Sequence, residues 1–173
     1  MSARIGSLGA LRFREATPDD APKIASLRSA SANALTQKFG HGPWSSLATE
    51  RGVLSSMRHS RVIIAVASDS IVGVLRLAMK KPWAIDVTYF TPCRRPVYLT
   101  DMAVEPGVQR RGIGRELLDE SRRAALEWGG EALRLDAYDA AAGAGGFYAR
   151  CGFDERGRVS YRGTPLVYFE RRL

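Results

Sequence analysis

The apolar residues follow two different periods along the chain, and the change from one to the other marks the predicted strands and helices. Alternating or β-branched runs predict strands at 11–16, 61–67, 71–78, 97–104, 133–138 and 166–170. Apolar residues at helical spacing predict helices at 18–39, 45–59, 115–128 and, more briefly, 147–151. Elements in this order predict an α/β domain with a mixed sheet.

Two segments are less regular than the rest. The segment 83–90 fits either a short strand or an aromatic-rich loop, and 158–163 is predicted to be a turn region after a strand that begins at Phe153. The sequence contains neither an internal repeat nor a linker. We therefore predict a loose leader at 1–10 and one domain at 11–173.

A strand, a glycine-rich basic turn and a helix follow one another between 97 and 128. Gly112 and Gly114 let the backbone of the turn approach a ligand closely, because glycine has no Cβ. Amides at the start of the helix then attract an anion. Positive charge is added by Arg110, Arg111 and Arg115. The pattern indicates a phosphate or pyrophosphate site, although a plain connection into a surface helix has the same composition.

Two phosphate-binding motifs do not fit this turn. A Walker loop needs Gly-Lys-Ser/Thr, which is absent, and the dinucleotide fingerprint needs a third glycine where this chain has Leu117. The pattern that remains is Gln109-x-x-Gly112-x-Gly114. It resembles the acetyl-CoA loop of the GNAT superfamily of N-acetyltransferases.

A second motif strengthens the resemblance. Tyr148-x-x-x-Gly152-Phe153 follows a predicted strand and resembles the second GNAT signature, which closes the CoA site. The order of the elements is also that of the family, so the resemblance covers nearly the whole chain. It implies a mixed, mostly antiparallel sheet with a splayed parallel strand pair and flanking helices.

The resemblance also implies a co-substrate, acetyl-CoA, and no metal. The central strand would offer its main chain to the pantetheine arm, the turn would bind the pyrophosphate, and the tyrosine would close the site. The residues implied are Met102, Ala103, Val104, Gln109, Arg110, Arg111, Gly112, Ile113, Gly114, Arg115 and Tyr148. The chain departs from the family at Ala141, where an asparagine is common.

An amine that attacks a thioester must lose a proton, and the leaving thiolate gains from an acid. Tyr148 matches the general acid of the family, although a packing aromatic is the simpler role for it. Asp101 on the central strand is a candidate base, and the alternative is a structural ion pair with an arginine such as Arg76. Asp136 lies on the neighbouring strand, and we expect it to have a structural role.

The acceptor site in such a fold is built from the first two helices and the last hairpin, which here supply Phe39, Trp44, Tyr161 and Tyr168, and from the segment before the central strand, which includes Phe90. In this chain that segment supplies Trp83, Asp86 and Tyr89, which suit an amine with an apolar body or a cation against an aromatic face. The alternatives are that the rings are core and that Asp86 caps a turn. The acceptor is predicted to be a small-molecule amine or a peptide.

The net charge is +8, from 26 Lys and Arg against 18 Asp and Glu. This fits general solubility, an anionic co-substrate or nucleic acid. Nucleic acid is disfavoured because the sequence has neither a long basic run nor an aromatic-basic ladder. The two cysteines, the lack of a signal-like leader and the lack of a membrane span predict a cytoplasmic protein.

The sequence therefore predicts an acetyl-CoA-dependent N-acetyltransferase that acts by direct attack in a ternary complex. A non-catalytic acyl-CoA-binding or sensor protein on the same fold is the alternative. A homodimer is possible, because dimers are common among similar folds.

Overall fold

The computed structural model describes residues 10–173. The predicted leader, 1–10, lies outside the described residues except for its last position. The strands are β1 Arg12–Glu15, β2 Arg61–Ala67, β3 Ser70–Ala78, β4 Pro96–Val104, β5 Ala132–Tyr138, β6 Asp154–Tyr161 and β7 Thr164–Arg172. The α-helices are α1 Ala21–Phe39, α2 Glu50–Met57, α3 Ile113–Glu127 and α4 Gly145–Arg150. Short 3-10 turns lie at Pro18–Asp20, Pro43–Ser45, Val87–Tyr89 and Pro106–Val108.

The strands form one seven-stranded sheet in the order β1-β2-β3-β4-β5-β7-β6. Neighbours are antiparallel except β4 and β5, which run parallel. Their pairing stops after Tyr98 and Arg134, although β4 continues to Val104 and β5 to Tyr138. The two strands therefore diverge over their second halves, and the predicted fold class with its splayed parallel pair is confirmed.

The two faces of the sheet carry separate cores. On one face, α3 and α4 pack on the central strands around Leu75, Leu99, Leu117 and Leu133. On the other face, α1 and α2 cover β2 and β3. A smaller cluster on that second face packs the segment before β4 against Tyr98 and Tyr168. The diverging halves of β4 and β5 lie between these clusters.

Two predicted elements differ clearly in extent from the structure, and the structure decides the segment 83–90, for which the sequence left strand and loop open. The helix predicted at 45–59 is shorter, since α2 begins after Thr49, whose Oγ1 accepts a hydrogen bond from the Gly52 amide. The segment 83–90 forms a loop with one 3-10 turn rather than a strand. The turn predicted at 158–163 is mostly strand, because β6 stays paired with β7 as far as Tyr161.

Candidate functional site

Three cavities in the described part of the chain are lined in part by β4, and the divergence of β4 and β5 opens the central one between the strand ends. The central cavity, of about 460 Å³, lies between α1, the turn around Trp44 and the ends of both strands. The loop cavity, of about 500 Å³, lies between β4, the turn before α3, and α4. The side cavity, of about 560 Å³, lies between α1, α2 and β3. The central and loop cavities share several lining residues, including Met102 and Tyr148.

The loop cavity brings together almost all of the residues predicted to hold a co-substrate. It is lined by Met102, Ala103, Val104, Gln109, Arg110, Gly112, Ile113, Gly114, Arg115 and Tyr148. Arg111 is the exception, since it is exposed and does not line the cavity. Residues distant in sequence thus meet as the two motifs predict.

The turn before α3 presents backbone donors. The first intrahelical bond runs from the Glu116 amide to the Gly112 carbonyl, so the amides of residues 113–115 have no partner within the helix. Gly112 has a φ of +87° and Arg110 a φ of +64°, both in the left-handed region. A helix of 15 residues adds its dipole at the same point. This geometry fits a phosphate group.

Side chains hold this turn in place. The Gln109 side-chain amide donates to the Val104 carbonyl at 3.1 Å, which ties the turn to the end of β4. That carbonyl is one of the main-chain groups predicted to face a co-substrate. Arg115 donates to the Arg150 carbonyl at 3.1 Å and links α3 to α4. Both contacts position the cavity wall.

Tyr148 lies at the junction of the central and loop cavities. Its ring is edge-to-face with Phe147 and Phe153, and only 7% of the residue is exposed. Its hydroxyl lies 3.7 Å from the Met102 sulfur, a weak acceptor. Burial, with the nearby charge of Asp136, raises the pKa of Tyr148. The phenol therefore keeps its proton at neutral pH and is able to donate it.

Asp101 sits at a bulge in β4. Its φ is +55°, and the β3–β4 register shifts between Val74 and Arg76. Leu99 and Met102 both pack on the α3 side of the sheet, so the bulge inserts one extra residue between them. The extra residue turns the Asp101 side chain toward α1.

The Asp101 carboxylate is held by two arginines. Its Oδ1 accepts from Arg28 at 2.6 Å and its Oδ2 accepts from Arg76 at 2.7 Å. Both oxygens are therefore engaged by arginine side chains, which leaves neither of them free to accept a hydrogen bond from an amine without a change of partner. The pairing with Arg76 is the structural alternative that the sequence left open, and Arg28 is a second partner that the sequence did not suggest.

Asp136 on β5 is the carboxyl that sequence reasoning assigned to a structural role. It lines the central cavity, and within residues 10–173 it has neither a side-chain hydrogen bond nor an ion pair. Burial raises the pKa of Asp136 above the usual range. One sequence signal could have found it, because Asp136 is the one carboxyl in β5 and stands between the apolar residues Leu135 and Ala137.

Trp83, Asp86 and Tyr89 lie away from Tyr148 and line none of the three cavities. Trp83 is 84% exposed. Asp86 caps the following 3-10 turn by accepting bonds from the Thr88 amide and hydroxyl, and these bonds lower its pKa. Tyr89 packs edge-on against Tyr168. The aromatic wall of the central cavity comes from Trp44 and Tyr138 instead.

The glycine-rich loop after β5 closes the central cavity on one side. Ala142, Gly143 and Ala144 line it, and Ala141 stands where the family often has asparagine. A Cβ on Gly143 would lie 1.8 Å from the Tyr138 carbonyl oxygen. The loop is therefore pressed against the end of β5.

Residues 28–153 match the model of the acetyltransferase (GNAT) family. The chain belongs to this family. No curated protein sequence matches the chain at a significant level. The match spans both the glycine-rich turn and the Tyr148 motif, and it confirms the prediction of a GNAT acyltransferase.

Solved structures agree with the fold of this GNAT chain. A ribosomal-protein-alanine N-acetyltransferase from Brucella melitensis is 20% identical, with a TM-score of 0.72 over 94% of this chain and 99% of that one. The PaiA N-acetyltransferase from Thermoplasma acidophilum, solved with coenzyme A, is 14% identical, with a TM-score of 0.71 over 95% and 99%. The putative acetyltransferase YncA from Salmonella typhimurium, solved with acetyl-CoA, is 16% identical, with a TM-score of 0.70 over 95% of both chains.

In the part of the GNAT chain that the structure describes, every helix is too short or too polar to cross a membrane.

Proposed function

We propose that this GNAT protein transfers the acetyl group of acetyl-CoA to a primary amine of a small molecule or peptide, by direct attack in a ternary complex. The observation that carries the proposal is the shared wall of two cavities. The loop cavity fits the donor, the central cavity fits the acceptor, and Tyr148 and Met102 belong to both.

Acetyl-CoA supplies an activated acetyl thioester, and the loop cavity has the donors to hold its phosphates. The free amides at the start of α3 face this cavity together with Arg110 and Arg115. Two of the similar structures contain coenzyme A or acetyl-CoA, which supports the same assignment. The predicted role of Arg111 would be limited to longer-range attraction.

Asp136 is the residue we assign to proton removal from the acceptor amine, in place of Asp101. Its carboxyl lines the central cavity without a competing partner, whereas both oxygens of Asp101 are engaged. A raised pKa makes an ionised carboxylate a stronger base. Tyr148 then donates its proton to the leaving sulfur, because burial keeps the phenol protonated.

The test is thiol release from acetyl-CoA with a panel of primary amines, followed by the Asp136→Asn variant on any amine that reacts. We expect the wild type to release thiol and the variant to lose about 10²–10⁴-fold in kcat. If calorimetry shows CoA binding but no amine gives thiol release, the non-catalytic acyl-CoA-binding alternative replaces the proposal. The cytoplasmic location and the homodimer stay predictions.

A further inference from the structure

The wall between the central and side cavities carries two arginines and one aspartate. Arg28 comes from α1, Arg76 from β3 and Asp101 from the bulge in β4. Arg28 and Asp101 line both cavities, and Arg76 lines the side cavity. Each arginine side chain is 28% exposed, so the cluster is half-buried and still reachable from the cavities.

The two arginines of this cluster have N–H donors and positive charge that Asp101 does not use. A guanidinium has five N–H donors. Arg28 uses only Nη2 and Arg76 only Nε in binding Asp101, and residues 10–173 offer them no other hydrogen-bond partner. Two positive groups against one carboxylate leave an excess of one positive charge. A second carboxylate would complete the cluster, since guanidinium and carboxylate match in geometry.

The central cavity also contains a carboxyl group, whose charge is opposite to that of the arginines. Among residues 10–173, Asp136 lines this cavity without a side-chain partner, and Arg28 is the one basic residue in its wall. An acceptor that bears both an ammonium and a carboxylate would therefore find a matching group for each. The remaining wall mixes small polar residues, such as Ser31 and Thr100, with apolar and aromatic residues, and Leu35, Trp44 and Tyr138 are among the larger of these. Such a wall favours a hydrocarbon or aromatic side chain.

We propose that the acceptor is an amino acid with a free carboxylate and an apolar side chain. Its carboxylate binds the unused N–H groups of Arg28, with Arg76 adding charge, and its amine lies toward Asp136. Asp101 acts as a positioning residue that holds the two guanidiniums. This inference rests on the proposed acetyl transfer and narrows its substrate class.

The first experiment compares acceptors that differ only at the carboxylate. Leucine, leucinamide and isopentylamine form one matched set, and phenylalanine, phenylalaninamide and phenethylamine form the other. We expect kcat/KM for the free amino acid to exceed that of its amide by about 10–100-fold, as expected for hydrogen bonds to a charged group. Equal or better use of the amides or amines would overturn the proposal.

The second experiment removes the guanidinium from the cavity. Arg28→Gln is expected to lower the ratio of amino-acid to amide kcat/KM by about 10-fold or more. Arg28→Lys retains a charge and should restore part of that ratio. Arg61→Gln is the matched control, because Arg61 has similar exposure, pairs with Glu15 and lines none of the three cavities. An unchanged ratio in folded Arg28→Gln would exclude the arginine from carboxylate recognition.

A binding measurement covers the case in which an Arg28 variant is inactive or turnover is too slow to rank acceptors. CoA-saturated protein is titrated with N-acetylleucine and with N-isopentylacetamide. We expect only the acid to bind, and equal binding or no binding of the two would contradict the inference. Failure of the proposed function would look different, as an absence of CoA binding or of thiol release with every amine.

Discussion

Asp136 and Tyr148 line the same cavity from neighbouring elements, and the charge of Asp136 contributes, after burial, to raising the pKa of Tyr148. A carboxyl with no side-chain partner among residues 10–173 thus shares the central cavity with a protonated phenol, and the phenol also borders the loop cavity. The two groups suit opposite proton transfers, since one accepts and the other donates.

Replacing Asp136 should separate activity from stability. Burial raises the pKa of Asp136, because the folded state disfavours its charged form. The protonated carboxyl therefore leaves the free energy of unfolding at its full value below the usual carboxyl pKa, and part of that stability is lost as pH rises through the raised pKa. Asp136→Asn removes that charge. We expect melting at pH 7 to occur at a higher temperature than in the wild type while thiol release falls. A lower melting temperature at pH 7 would contradict this account of the Asp136 environment.

The fall of kcat at acidic pH should also depend on Asp136. Asp136 must be ionised to take a proton, so kcat should fall as pH drops through its raised pKa. In Asp136→Asn, the part of this fall that belongs to the carboxyl should disappear. Asp101→Asn is the comparison, and a loss of the fall there instead would return the base role to Asp101.

Tyr148→Phe should reduce kcat by about 10²-fold or more, because the leaving sulfur loses its proton donor. Folding should be little affected, since the hydroxyl makes only a weak contact with the Met102 sulfur. The ring contacts with Phe147 and Phe153 are retained. Turnover at saturating substrate and a thermal melt check both expectations. Unchanged turnover would remove Tyr148 from the mechanism.

Gly112→Ala should weaken donor binding. Gly112 has a φ of +87°, and an alanine there costs about 1–2 kcal/mol, so the turn would relax and misplace its amides. The KM for acetyl-CoA should rise while a saturated enzyme still turns over. Gly107→Ala is the matched control, because no atom lies within 4 Å of an added Cβ and its φ is not positive. An equal rise in KM in both variants would show that the positive φ of Gly112 does not determine acetyl-CoA binding.

Asp20 anchors the start of α1, the helix that carries Arg28. Arg14 donates to both of its oxygens and, with the Thr17 amide, lowers the pKa of Asp20 to about 2. The stabilisation is therefore complete above the ordinary carboxyl pKa and is lost as pH falls toward about 2. Asp20→Asn should destabilise the fold by about 1–2 kcal/mol at pH 7, a loss moderated by the exposure of Arg14. Equal stability of the two proteins at pH 7 in denaturant titrations would contradict this.

The donor side of the site could be predicted from sequence because its signals are local. Gly112, the start of α3 and the Tyr148 motif each depend on a few adjacent residues, and the structure places them around one cavity. The base could not be chosen in the same way. The bulge at Asp101 and the partner at Arg28, 73 residues away, appear only once the sheet is assembled.

The acceptor wall shows the same limit. Trp83 and Tyr89 precede β4 in sequence and suggested a pocket, but the loop that carries them packs elsewhere. Trp44, which the sequence also offered as an acceptor-site aromatic, does line the cavity, from a short 3-10 turn between α1 and α2. Local pattern gives no information on which of several aromatic loops reaches a given cavity.

The divergence of β4 and β5 has a consequence for how this protein could be redesigned. The loop cavity is lined largely by 102–115 and 142–151, whereas the central cavity also draws on 28–48 and 136–138. These segments are separate in the chain and come together around the diverging ends of the two strands. Exchanging 28–48 for the equivalent segment of another family member would change mainly the wall of the central cavity, because only Ser31 and Leu35 of this segment also line the loop cavity. If the two cavities hold acceptor and donor as proposed, such an exchange should change the amine preference with little effect on the KM for acetyl-CoA.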